Sequence, residues 1–226
     1  MGSEKREIIT IDGPAASGKS TTARLVAKKL GWLYLDTGAM YRAITVKVID
    51  KSIPLEDAEL IGRTAEETEL KLAPSDSGTK VFIDGKEITG KIRTPEIDRA
   101  VGPVCEVDKV RKVLVEQQRK IGSEGRVVAE GRDMGTVVFP DAKYKFYMIA
   151  SIESRAKRRQ KDLLKQNIQV PLDELMQEIE RRDNRDSSRD NSPLKKADDA
   201  VLIDTSNLSI EQQVDVILKR VKSQGK

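Results

Sequence analysis

Apolar residues fall into two rhythms along this chain, and the rhythms alternate. Short β-rich apolar runs occur at "EIITID" (7–12), "WLYLD" (32–36), "RVVAEG" (126–131), "KFYMIA" (145–150) and "AVLID" (200–204), and each reads as a strand. Segments of helical period separate them. "KSTTARLVAKKL" (19–30) sets Leu25, Val26 and Leu30 on one side, and "TGAMYRAITVKVID" (37–50) has Thr37 placed as its N-cap. Residues 60–72 also look helical. A long helical region then breaks near Gly102 and Pro103 and resumes through "KVRKVLVEQQRKI". A basic helix in "SRAKRRQKDLL", another from 171 to about 185, and a closing helix in "SIEQQVDVILKRV" complete the set. Strands separated by helices predict an α/β fold with a parallel sheet covered on both faces. One segment breaks the pattern. After a turn at "SDSG", the run "KVFIDGKEIT" alternates about Asp84 and Gly85, a two-residue hairpin signal. Residues 64–100 are therefore read as an inserted lobe within a single domain, 1–226, with no internal repeat and no low-complexity linker.

Composition narrows the chemistry. The chain has no histidine and one cysteine, Cys105. That excludes Ser-His-Asp triads, histidine bases, HExxH metal sites, intrachain disulfides and multi-thiolate zinc. Carboxylates, lysine, arginine, hydroxyls and backbone dipoles remain. No run approaches the roughly 20 apolar residues that span a bilayer. "MGSEKREI" lacks the apolar core of a signal peptide and has Arg6 where a myristoylation signal needs Ser or Thr. A cytoplasmic protein with no membrane partner is expected. The net charge of +4 suits small anions, but a duplex-binding face is normally denser. One tryptophan, four tyrosines and three phenylalanines give little surface for stacking bases. A basic nucleic-acid-binding module is thus the weaker alternative, and no nucleic-acid partner is expected.

"GPAASGKS" (13–20) fits G-x-x-x-x-G-K-[ST] and stands between an expected strand and an expected helix. In that context the loop Gly13, Pro14, Ala15, Ala16, Ser17 and Gly18 closes backbone N–H groups around phosphate oxygens. Lys19, Ser20 and Thr21 open the helix, whose N-terminus adds partial positive charge. Lys19 would reach the β- and γ-phosphates, and the Ser20 hydroxyl would ligate Mg²⁺. No N-K-x-D element reads guanine, so an ATP-using enzyme is expected rather than a GTPase switch.

Four charged clusters follow. Arg42, in "DTGAMYR", and Arg132 with Asp133, in "EGRDMGTVVFPDA", lie just after strands, at the carboxyl edge where α/β sheets bind ligands. Gly131 and Gly135 flank the second pair and permit close backbone approach. In "RRDNRDSSR", Arg182, Arg185, Asp186 and Arg189 recur at helical spacing, and Arg155, Arg158 and Arg159 do so in "SRAKRRQK". Either helix could simply be a salt-bridged solvated face. Taken with the phosphate loop, the arginines suggest two phosphorylated ligands meeting, with guanidiniums stabilising the transferring group. A phosphate acceptor also explains the missing base, because its second pKa of about 6 leaves the attacking oxygen ionised. A P-loop kinase for UMP or another small acceptor, such as a sugar-type alcohol, remains an alternative at this point.

"TIDGPAASGKST", "LDTGAMYRA", "AEGRDMGTVVFPDA", "ERRDNRDSSRD" and "DTSNLSIEQ" occur in the order and approximate spacing of the bacterial cytidylate kinases, and the chain resembles that family over nearly its whole length. The resemblance implies a nucleoside-monophosphate kinase fold: a five-stranded parallel sheet, a monophosphate-side insert and a short lid at 153–170. It implies an enzyme transferring phosphate from ATP to CMP or dCMP with Mg²⁺; small-molecule nucleotides are the expected partners, and a monomer is expected. Carried over by motif, Arg42 and Arg132 bind the acceptor phosphate. Arg182, Asp186 and Arg189 serve the acceptor ribose and its phosphate, and Arg158 and Arg159 are lid arginines. Thr37, Arg111 and Asp133 surround the cytosine, whose exocyclic amine a carboxylate accepts. Gly102 departs from the pattern, standing where the family tends to carry a base-contacting serine.

Overall fold

Ile8–Asp12 is buried at every position, which a strand achieves with neighbours on both edges and cover on both faces. It is the first strand of a computed structural model that describes residues 7–75 and 78–224. In chain order the elements are β1 (Ile8–Asp12), α1 (Lys19–Leu30), β2 (Leu33–Asp36), α2 (Thr37–Asp50), α3 (Ala58–Glu66), β3 (Leu70–Ser75), β4 (Gly78–Ile83) and β5 (Lys86–Glu87). There follow α4 (Pro95–Glu106), α5 (Asp108–Gly122), β6 (Val127–Gly131), a π-type turn (Met134–Val138), β7 (Tyr144–Ile149), α6 (Ile152–Leu164), α7 (Leu172–Ser188), β8 (Val201–Asp204) and α8 (Ile210–Gln224). The main sheet has five strands in the order β2-β6-β1-β7-β8, and β3-β4-β5 form a second, smaller sheet. The expected α/β class, parallel sheet and small antiparallel element are all present. Residues 1–6, and Asp76 and Ser77 of the expected "SDSG" turn, lie outside the described residues. No described helix is long and apolar enough to cross a membrane.

The chain divides into two compact units. The first comprises the residues up to Trp32 and those from Arg126 onward. In it β1 pairs in parallel with β6 and β7, and β7 with β8. The register sets Asp12 beside Gly131 and Tyr147, so these strands deliver their last residues to one edge. Helix α1 packs on β1, β6 and α8. Its inward face is Thr22, Ala23, Val26 and Ala27, whereas Leu25 and Leu30 of the expected face are only half-buried. Small side chains win that contact because they let a helix lie close to a sheet. Helices α6 and α7 pack on each other around Ala156, Leu163, Leu175 and Ile179. The first half of α7 therefore has an apolar stripe that sequence spacing did not reveal. The helix also runs past the expected end near Arg185, to Ser188.

The second unit spans Leu33–Gly125. Its core joins Ala39, Ala43 and Val46 of α2 to Val81 and Ile83 of β4 and to Ile97 of α4. Asp36, not Thr37, caps α2: its Oδ1 accepts from the Ala39 N–H at 2.9 Å. The carboxylate already stands one residue ahead, at the end of β2, which makes Thr37 the first helical residue. The hairpin forms as expected, with Asp84 and Gly85 at φ 49° and 78°, both positive as a type I′ turn requires. The helical reading of 60–72 fails at its end. Helix α3 stops at Glu66, and Leu70 and Leu72 alternate with exposed Lys71 on β3, turning their apolar side chains onto the core. Nor does the chain break at Gly102 and Pro103. Pro103 lies inside α4, and the break comes at Val107. The carbonyl that loses its donor belongs to exposed Arg99, where water can replace it, while Ile97, Ala100, Val101 and Val104 hold the helix by burial.

Phe146 is 1% exposed on β7, between β1 and β8. Phe146→Ala is expected to lower the unfolding free energy by about 3–5 kcal/mol, through lost transfer energy and a cavity, read from urea denaturation midpoints.

Candidate active site

The turn from β1 into α1 allows little freedom in its backbone. A Cβ on Gly13 would sit 2.1 Å from the Met148 carbonyl oxygen, so β7 leaves room for glycine alone. Gly18 ends the loop at φ 94°, and no side chain caps α1 behind it. The loop carbonyls are held from one side. Arg155 Nη1 donates to Ala15 O at 3.4 Å, and Arg158 Nη1 donates to Ala16 O at 3.5 Å and Ser17 O at 3.1 Å. A trans peptide directs its C=O and N–H to opposite sides, and no cis bond occurs in the described chain. The N–H groups of residues 16–18 therefore face away from α6. Together with the first N–H groups of α1, which no helical carbonyl can accept, they form a cradle for an anion.

Lys19 belongs to that cradle. It is 6% exposed, and its Nζ donates to Pro14 O at 3.1 Å. Burial and the neighbouring positive charge of Arg132 push its pKa down to about 7, against weaker support from Glu130 and Asp186. Beyond β6, Arg132 Nε donates to Asp186 Oδ2 of α7 at 2.7 Å. Burial alone would raise the Asp186 pKa, yet Arg132, with help from Arg182 and Arg189, holds it below the ordinary value. Asp133 is buried at the start of the π-type turn. Asp12, the last residue of β1, fixes that turn: its two carboxylate oxygens accept from Met134 N–H at 2.9 Å and Gly135 N–H at 2.8 Å. Burial nevertheless pushes the Asp12 pKa up to about 7.

Of the expected site residues in this unit, Lys19, Arg132, Arg182 and Asp186 lie close enough to shift one another's charge. Arg158 is engaged by the loop carbonyls and by Thr205, to whose hydroxyl its Nη1 donates at 3.0 Å. Arg159 and Ser20 are half-buried. Arg189 is not on the helical face. It is the C-cap of α7, its Nε donates to Ser192 O at 2.6 Å, and its Nη2 is buried with no partner among the described residues. Arg185, counted in the same face, is exposed, and Asp183 turns inward instead, 2.5 Å from Arg155. Asp12, Asp183 and Thr205 were missed by sequence reading. Only Asp12 carried a signal, as a carboxylate at a strand end next to the loop.

The second unit holds Thr37, Arg42 and Arg111. Thr37 is buried in the first turn of α2. One turn on, Arg42 donates through Nε and Nη2 to Asp98 Oδ1 at 3.3 and 3.1 Å, and through Nη1 to Gly38 O at 3.2 Å. Arg111 is buried on α5 with its guanidinium carbon 5.6 Å from the centroid of the Tyr41 ring. Asp98 and Tyr41 thus orient two of the expected arginines, and neither was anticipated.

A parallel sheet whose central strand runs into this loop, with a buried lysine and arginines around it, defines a P-loop kinase. The fold is similar to that of an uncharacterised protein from Eubacterium ventriosum, with a TM-score of 0.53 at 13% identity over 97% of this chain and 99% of that one. The sequence model of the cytidylate kinase family matches residues 9–223, and the chain belongs to that family. It is 48% identical over 211 residues to the cytidylate kinase of Carboxydothermus hydrogenoformans, covering 93% of this chain and 95% of the relative. Identity to the Bacillus subtilis cytidylate kinase is 44% over 223 residues, covering 99% and 100%. A bifunctional pantoate ligase/cytidylate kinase from Synechococcus is 52% identical over 217 residues, and the chain spans 40% of that protein's length.

The lowered Lys19 pKa has a testable sign. Between pH 7 and 10.5 the unfolded chain keeps the lysine proton that the folded chain has shed, so stability from this group rises with pH across that window. Lys19→Met is expected to be more stable than the wild type at pH 7 without nucleotide, with the gap closing toward pH 10.5. Urea denaturation of both proteins across that range checks it, and a constant gap would contradict it.

Proposed function

We propose that this chain catalyses ATP + CMP (or dCMP) ⇌ ADP + CDP (or dCDP) as a cytoplasmic monomer acting on free nucleotides. The observation that carries the reading is the buried Lys19 of the phosphate loop, flanked by the Arg132–Asp186 pair, in a chain of the cytidylate kinase family. Family membership does not favour an acceptor other than a cytidine nucleotide, nor a nucleic-acid-binding module.

The loop from Gly13 to Gly18, with Ser20 and Thr21, takes the ATP phosphates, and Lys19 offsets charge on the β- and γ-phosphates. The cradle fits such an anion, because α1 has no side-chain cap and Lys19 lies where a negative charge relieves its burial. Mg²⁺ fits as well. Ser20 is half-buried in the first turn of α1, beside the phosphate loop, where its hydroxyl can ligate the ion together with phosphate oxygens. When bound, the ion supplies Lewis-acid neutralisation of phosphate charge. Arg42 and Arg132 bind the acceptor phosphate. Arg182, Asp186 and Arg189 bind its ribose and phosphate, and Thr37, Arg111 and Asp133 read cytosine. Residues 64–100 serve as the monophosphate-side insert and 153–170 as the lid. Arg158 and Arg159 close on the transferring group, for which Arg158 must leave the carbonyls that now hold it.

No base is required. An ionised oxygen of the CMP phosphate attacks the γ-phosphorus, the bond to the β–γ bridging oxygen breaks, and ADP leaves with that electron pair. Guanidiniums stabilise the charge of the transferring group at fixed protonation, and closure keeps water from taking it.

Coupled ADP-release assays with CMP, dCMP, UMP, AMP and GMP test the reading. The cytidine nucleotides are expected to give the highest kcat/KM, and ATP consumption that is indifferent to added pyrimidine monophosphate would overturn it. Uracil presents a carbonyl where cytosine has its amine, so Asp133→Ala is expected to cut the preference for CMP over UMP by about 10- to 100-fold. The KM for ATP should change little. Selectivity equal to the wild type's would remove Asp133 from base recognition.

A further inference from the structure

Arg155 lies in the segment assigned as the lid but was given no contact with substrate above, yet it is one of the most buried cations among the described residues, at 6% exposure. Its guanidinium meets three acceptors from three parts of the first unit. Nε donates to Ala150 O, at the end of β7, at 3.0 Å, and Nη1 donates to Ala15 O in the phosphate loop at 3.4 Å. Nη1 also stands 2.5 Å from Asp183 Oδ2 on α7. A guanidinium this buried tolerates removal from water only with close geometry and further hydrogen bonds, and the two carbonyls accept those bonds, while half-buried Asp183 supplies the countercharge and keeps its Oδ1 without a hydrogen-bond partner among the described residues. Lysine could not replace this residue fully, because it offers a point charge rather than a planar fork with five donors.

The position of this junction matters more than its strength. Ala15 precedes Ala16, whose φ of 57° puts a non-glycine residue in the left-handed region, a conformation that persists only when its surroundings hold it. Asp183 follows Arg182 directly and lies one helical turn before Asp186, the partner of Arg132. One guanidinium therefore touches both the loop assigned to ATP and the helix assigned to the acceptor.

We propose that Arg155 is a positioning residue that couples the two substrate subsites: through Ala15 and Asp183 it fixes the distance and tilt of α7 relative to the phosphate loop. The assignment of α7 to the acceptor rests on the function proposed above, whereas the mechanical link does not. Filling the loop stiffens its backbone, and the bridge passes that restraint to α7.

Two measurements separate the link from the function. Hydrogen–deuterium exchange of the wild type with and without ADP is expected to show slower exchange both in α1 and in α7. In Asp183→Asn, which keeps both carbonyl bonds, the α1 protection should remain and the α7 protection should fall away. Equal α7 protection in the variant overturns the link, whatever the acceptor proves to be. Steady-state kinetics supply the second test. Arg155→Met and Asp183→Asn are each expected to lower kcat/KM for CMP by about 10-fold, within the range usual for coupled sites. The double variant should be hardly worse than either single one, and Arg155→Lys should recover part of the loss. The dissociation constant of a fluorescent ADP analogue should stay near the wild-type value in Asp183→Asn. Additive losses in the double variant, or wild-type kinetics in Arg155→Met, reject the proposal. Wild-type failure to phosphorylate CMP would instead reject the assigned function and leave the exchange result to judge the link.

Discussion

A lysine almost removed from water, whose burial is made more costly by the positive charge of Arg132, is the constraint on which the rest of this site depends. An isolated buried ammonium is unfavourable, and a second cation nearby makes it more so. The first unit accepts that arrangement around Lys19 and offsets it only in part, through Glu130 and Asp186. An anion at the turn between β1 and α1, where N–H groups of the loop and of the helix N-terminus converge, would complete the electrostatics, as the proposed function requires.

The arginines divide into two kinds by what they touch. Arg155 and Arg158 grip backbone carbonyls of the loop from outside, which settles where its N–H groups point. Arg132 is held by Asp186, and Arg42 by Asp98. In each pair the carboxylate limits the rotamers of a long side chain, so less conformational entropy remains to be lost when a phosphate arrives. If these arginines bind the acceptor phosphate as proposed above, the carboxylate beside each is not wasted repulsion. It sets the direction of the charge, and it leaves other guanidinium donors for the ligand.

How much of this could be read from residues alone depended on range in sequence. The β1 run, the glycine loop and the α1 helix are adjacent, and their pattern specified strand, turn and cradle together. The Asp84 and Gly85 turn was equally local. Leu70 to Leu72 were misread because two alternating leucines fit a helix end until β4 supplies a pairing partner. Pro103 was misread because burial of Ile97, Ala100, Val101 and Val104 outweighs one missing hydrogen bond at an exposed carbonyl. Asp12 finds its N–H partners 122 and 123 positions away, and Asp183 meets Arg155 from a different helix. Such pairs have no spacing rule, so α7 was read with Arg185 on the working face when Asp183 holds the inward place.

The absence of histidine has a consequence for how the site responds to acid. Arginine keeps its proton throughout the working range, so the guanidiniums' share of the field does not change near neutrality. Among the groups around the loop, Lys19 and Asp12 have pKa values brought to about 7 by burial. An arriving phosphate reverses the first of these shifts, because negative charge beside an ammonium favours its charged form. The lysine then stays charged in the complex. The same phosphate pushes the Asp12 pKa further up, because negative charge beside a carboxyl favours its neutral form, and the phosphate of a monophosphate acceptor itself loses its dianion below a pKa of about 6. In the mechanism proposed above the attacking oxygen needs no base, so the nucleotide's second ionisation sets whether it is available, while the arginines hold their charge whatever the state of Lys19 and Asp12.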